Sequence, residues 1–138
     1  MIVSNIPELF LYPVEERGKP NQERIVILVN ETINLGQYGI MVGYAGVNQS
    51  ATPFQDNLFW FGNGVVNKGD WIMLFTGKGE PKSDIWLDAG TKIYSVHWGR
   101  DKTMFTNTNV VPMLFRIDAI NVGIAPVDVP QLSIGKHA

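Results

Sequence analysis

Histidine is the side chain that most readily exchanges a proton near neutral pH, and the chain carries two, His97 and His137. Ser95 precedes His97 on the same short segment and Asp101 follows it, so a nucleophile, a base and an acid can be drawn together as a hydrolase centre. The geometry argues against that chemistry. Ser95 and His97 would share one strand face, where side chains run parallel and do not converge, and the Gly-x-Ser-x-Gly elbow is missing. His97 is expected to be a hydrogen-bonded structural residue, and a hydrolase using it ranks last among the functions weighed. Oxygen ligands for calcium could come from Asp84 with Asp88, or from Asp101 with Asn107 and Asn109. The Asp-x-Asp-x-Asp-Gly loop is absent and the histidines lie far apart, so Asx-turns account for these residues and no metal is expected. Gly77-Lys78-Gly79 lacks the rest of a phosphate-binding loop. Cysteine is absent, which removes thiolate ligands and nucleophiles. The chain is therefore expected not to be an enzyme and to need no cofactor.

The aromatic side chains carry more information. Among 4 Trp, 4 Tyr and 7 Phe, Trp60, Trp86 and Trp98 stand at or near loop junctions, where exposed rings anchor peptides, sugars or proteins. Phe59-Trp60-Phe61 must send rings to both faces of a strand. The competing reading is burial on both faces, or Trp60 packed beneath the loop from Gly77 to Gly90. Phe10 and Tyr12 belong to Leu9-Phe10-Leu11-Tyr12, which suits a strand added to the chain's own sheet or an arm pairing with another protomer's edge. Trp60, Trp86, Trp98, Phe10 and Tyr12 are the expected partner-binding residues.

Short β-branched and aromatic runs between turn residues must position these groups, because 14 glycines and 8 prolines interrupt every helix-length window. Strands are expected over Arg24 to Asn30, Tyr38 to Tyr44, Leu58 to Phe61, Trp71 to Thr76, Lys92 to Trp98 and Val110 to Ile120. The run Ile25 to Val29 is apolar throughout, as in a strand covered on both faces. Tyr38, Ile40, Val42 and Tyr44 share one face, with Gly39, Met41 and Gly43 opposite. In the last strand Met113, Phe115, Ile117 and Ala119 are expected to face the core, with Leu114, Arg116 and Asp118 outward. Pro112 marks an edge or a bulge there. Residues 77–90 and Gly99 to Asn109 read as loops. The pattern implies an all-β fold, an immunoglobulin-like sandwich of two antiparallel sheets. It divides into an N-terminal arm or added strand (1–22), the sandwich (23–120), and a C-terminal tail (121–138) with little apolar pattern that should fray.

Composition sets outer limits. A chain of 138 residues with 45% hydrophobic content suits one domain with its own core. A net charge of −2, with scattered basic residues, opposes nucleic-acid binding. No apolar run approaches the length of a membrane span, and Met1 to Glu8 lacks the regions of a secretory signal, so a soluble, cytoplasmic protein is expected.

Glu23-Arg24-Ile25-Val26-Ile27-Leu28-Val29-Asn30, the turn Asn34-Leu35-Gly36-Gln37-Tyr38, the stretch from Asn63 through Gly69-Asp70-Trp71 to Thr76-Gly77, and Ile93 to Gly99 with Phe105-Thr106-Asn107 occur in that order. Together they resemble the lamin-tail domain family over roughly residues 23–120. Tyr38 stands where a Trp is more usual in that family, and the arm before residue 23 has no counterpart. The resemblance implies an immunoglobulin-like sandwich that serves as a binding or targeting module without shared catalytic residues. The expected function is thus a non-catalytic interaction module for a protein or other macromolecular partner, self-association into a homo-oligomer included. The alternative is a structural component of a phage-like or secreted assembly.

Overall fold

A computed structural model describes residues 4–85 and 90–126, so Trp86, Asp88 and His137 fall outside the described residues. The chain is all-β. Its strands are β1 (Leu9–Leu11), β2 (Arg24–Val29), β3 (Ile33–Asn34), β4 (Tyr38–Ala45), β5 (Ala51–Trp60), β6 (Val65–Val66), β7 (Trp71–Phe75), β8 (Lys82–Ile85), β9 (Lys92–His97) and β10 (Val110–Arg116), with one 3-10 turn at Leu35–Gln37. A five-stranded sheet has the order β1-β2-β7-β9-β8, a three-stranded sheet the order β10-β4-β5, and β3 pairs with β6. Among the described residues no helix is long and apolar enough to cross a membrane.

Side chains from both larger sheets meet in one core. Ile25, Ile27 and Val29 of β2 and Ile72 and Leu74 of β7 cluster with Tyr38, Ile40 and Val42 of β4, and Phe105 fills the same core at 0% exposure. The alternation of strand side chains dictates this: each strand sends every second residue inward. In β2 both sets are apolar, and Val26, on the opposite face from Ile25 and Ile27, is buried as well. Leu9 and Leu11 of β1 also pack on the core, because β1 pairs antiparallel with β2 through Leu9↔Val29, Phe10↔Leu28 and Leu11↔Ile27.

Several features depart from the sequence expectation. β5 begins at Ala51, not Leu58, and carries Pro53 and a register irregularity opposite Met41/Gly43. Proline and a bulge are tolerable there because β5 is an edge strand. Lys82–Ile85, expected as loop, forms the outermost strand of the larger sheet, antiparallel to β9. The crossover through β8 makes β9 parallel to β7. β10 ends at Arg116, and its faces are reversed. Leu114 lies opposite the buried Ile40 and packs on the core, whereas Phe115 lies opposite Gly39 on the outer face. The register with β4 decides this, and Gly39 makes the outer seat for Phe115: a Cβ there would come within 2.4 Å of the ring. Pro112 occupies a sheet edge, where its missing donor costs no ladder bond on the open side.

Candidate functional site

The side chains that could do proton chemistry are bound into the framework. His97 stacks on Phe75 with ring centroids 5.2 Å apart and 18° between planes. Gly79 covers the ring so closely that a Cβ would lie 2.4 Å from it. Its Nδ1 is buried without a hydrogen-bond partner, contrary to the expected hydrogen-bonded role. Asp101 pairs instead with Lys78 at 2.9 Å, and that ammonium holds its carboxyl below the usual range. Ser95 is buried on the same strand face as His97.

Among the described residues three carboxylates are buried, and each closes loops. Glu23 is 1% exposed. Its Oε1 accepts from the Met104 N–H (2.7 Å) and the Thr76 hydroxyl (2.8 Å), its Oε2 from the Gly18 N–H (2.7 Å) and the Phe105 N–H (3.0 Å). Asp70 accepts from the Asn67 and Lys92 N–H groups. Glu8 accepts from the Tyr38 hydroxyl at 2.6 Å and from Arg116 at 2.7 Å. Those two bonds lower the Glu8 pKa, while burial and the neighbouring carboxylate push Tyr38 up to about 12. Carboxylates bonded in this way fix the geometry of the framework, Glu23 with four donors and Asp70 and Glu8 with two each. Among the described residues no three His, Asp or Glu side chains gather closely enough to hold a metal ion. Asn107 caps the Asn109 N–H in an Asx-turn, and Asp84 lies on β8 beside Lys82.

A cleft of about 620 Å³ opens between β5 and the segment after β9, lined by Phe54, Asn57, Arg100, Lys102, Thr103 and Met104 among others. Arg100 lies over the Trp98 ring at 5.2 Å and donates to the Asp56 carbonyl and to Asn57 Oδ1. The guanidinium therefore braces β5 at Asp56, whose φ is 58°. The cleft is lined by the cations of Arg100 and Lys102, the carboxylate of Asp101 and the apolar Val42, Phe54 and Met104. No motif in the chain points to it, since Gly99 to Asn109 reads as a polar connector. The clearest signal in retrospect is Trp98-Gly99-Arg100, which turns at Gly99 with φ 85°.

The expected anchors separate onto two surfaces. On the outer face of the larger sheet, Phe10 is 51% exposed and meets Tyr12 edge-on at 4.7 Å, and Tyr12 meets Trp71 at 5.2 Å. On the smaller sheet Trp60 is 50% exposed, its indole N–H donating to the Gly36 carbonyl. The register aligns Phe115, Gly39 and Trp60 in one row and Met113, Met41 and Leu58 in the next. Leu58, which sequence reasoning did not single out, is 57% exposed. Trp98 is half-buried against the core, 5.5 Å from Phe59. Trp86 lies outside the described residues.

Comparison with protein-family models, with curated proteins and with solved structures gives no match for this chain.

Proposed function

We propose that this chain is a non-catalytic interaction module, an immunoglobulin-like sandwich of the lamin-tail kind, that holds a macromolecular partner on the outer face of its smaller sheet. The sandwich reading rests on the shared core between the two larger sheets and on the ordered sequence resemblance. One observation carries the function: Leu58 and Trp60 stand half-exposed side by side over the apolar rows of Met41, Met113 and Phe115. Contiguous apolar surface of this sort mostly marks a binding site, and Trp is the residue most often found at its energetic centre. The framework roles of Glu8, Glu23 and Asp70 and the enclosed His97 support the absence of catalysis.

A photo-crosslinking residue at position 60 tests the reading. It should form a covalent adduct with a macromolecule, a second copy included, whereas the same residue at position 68, away from this face, should not. Equal labelling from both positions, or none from position 60, would refute it.

A further inference from the structure

We infer that residues 117–126 form an arm that adds as a strand to the free edge of β5 in a second copy of this chain. This rests on the interaction-module reading and names its partner. The arm starts where the last backbone tie ends, the Ile117 N–H donating to the Gln37 carbonyl at 2.7 Å. Beyond it, Ile120, Val122 and Ile124 are 72%, 82% and 97% exposed, and Asn121, Gly123 and Ala125 alternate with them. That is the period of a strand with one apolar face. The sequence leads to a last strand ending at Ile120 and a tail from residue 121 with little apolar pattern; the exposures reveal three large aliphatic groups with nothing over them among the described residues.

The receiving edge is specified by what the others lack. β1 has three residues, β8 presents Lys82 and Asp84, and β10 carries Pro112, all devices that discourage strand addition. β5 is guarded only in its first half, by Pro53 and the bend at Asp56, whose carbonyl Arg100 already occupies. From Asn57 to Phe61 the guards stop. The Phe61 N–H donates to the Tyr38 carbonyl, so strand alternation turns the backbone groups of Leu58 and Trp60 away from β4 toward the open edge. Gly62, with φ 84°, ends the window. Asn57 to Phe61 is as long as Ile120 to Ile124. An antiparallel strand laid there with Val122 opposite Leu58 and Ile120 opposite Trp60 sets those two aliphatic groups on the same face as Leu58 and Trp60.

The partner is a second copy because one chain carries both halves, an arm with one apolar face and an edge without guards, and both are exposed among the described residues. The chain's own arm does not occupy its own edge. β10 and β5 flank β4 on opposite sides, so the arm leaves from the far side of the sheet and its side chains stand in solvent.

The test uses the full chain in sedimentation velocity over a concentration series, with Val122→Asp and Ile124→Asp on the arm, Leu58→Asp on the edge, and Val47→Asp as a control at an exposed turn. The wild type and the control should associate with rising concentration. Each arm or edge variant should weaken association by at least about tenfold. An equimolar mixture of the Val122→Asp and Leu58→Asp proteins should recover a mixed dimer, since one intact arm then meets one intact edge. The arm variants alter side chains outside the core, so they test the contact even if Leu58→Asp disturbs folding. A monomeric wild type overturns the inference, as does a mixture that stays monomeric while both parents fold. If the wild type is monomeric and position 60 crosslinks to a different macromolecule, this inference fails and the module reading stands. If position 60 labels nothing, both fail.

Discussion

The two ends of the chain begin with the same kind of pattern and meet different fates. Leu9-Phe10-Leu11 and Ile120 to Ile124 both place large aliphatic groups at every second position. The first becomes β1, with Leu9 and Leu11 in the core, while the second stands off the body with its aliphatic groups exposed. The difference lies in polar ties. On either side of β1, the Asn30 N–H donates to the Glu8 carbonyl and the Tyr12 N–H to the Val26 carbonyl. The Glu8 carboxylate then binds Tyr38 of β4 and Arg116 of β10, across to the other sheet. Beyond Ile117 the tie among the described residues is an exposed one, Arg116 donating to the Asp118 carboxylate at 2.8 Å, and none follows Asp118. Apolar alternation thus says that a segment can be a strand; buried hydrogen bonds decide whether its own domain will use it.

The largest effect should come from cutting the tie that closes the connection between β1 and β2. Glu23→Ala would leave the Gly18, Met104 and Phe105 N–H groups and the Thr76 hydroxyl without their acceptor. A loss on the order of 3–5 kcal/mol is expected in urea unfolding. A loss below about 1 kcal/mol would mean that water replaces the carboxylate, and the argument from buried ties would weaken.

A smaller and pH-dependent loss is expected at the anchor of β1. Tyr38→Phe removes one hydrogen bond to Glu8 and should cost about 1–2 kcal/mol at neutral pH. Glu8 has a depressed carboxyl pKa in the folded chain, so its contribution is present above the ordinary value of 4.5 and fades as pH falls below it. Tyr38 behaves in the opposite sense. Its folded pKa is raised to about 12 from 10.0, so its contribution is full below pH 10 and is lost as pH rises toward 12. Stability measured against pH should show both declines in the wild type. Tyr38→Phe should abolish the alkaline one, and Glu8→Gln should flatten the acid one. An alkaline decline that persists in Tyr38→Phe would assign it to another group.

How much of this could be read from the residues follows the same division. β2, β7 and β9 were legible because their inward residues form uninterrupted aliphatic or aromatic sets, and the buried face of Tyr38, Ile40 and Val42 was legible from its alternation. Tyr44 is 52% exposed because β4 runs on past the core. The faces of β10 were misread because both sets are apolar, and only the register against Gly39 distinguishes them. The first half of β5 and all of β8 were hidden because edge strands are built from polar residues and proline, the composition of loops. Trp60 could be suspected from Phe59-Trp60-Phe61. Leu58 could not, since its exposure depends on which side of β5 meets the core. The arm escaped notice because Gly123 and Pro126 mask the spacing of Ile120, Val122 and Ile124.

The smallest expected effect sharpens the comparison most. Val122 is 82% exposed and β10 has already ended at Arg116. Val122→Asp should therefore change the unfolding free energy of the dilute monomer by no more than about 0.5 kcal/mol, the range of ordinary surface substitutions. Read in the same urea titration as Glu23→Ala, it asks whether the arm belongs to the fold or only to an assembly. A loss of about 2 kcal/mol would place Val122 among groups buried on folding. The two ends of the chain would then differ in degree and not in kind, because the arm would be packing on its own domain.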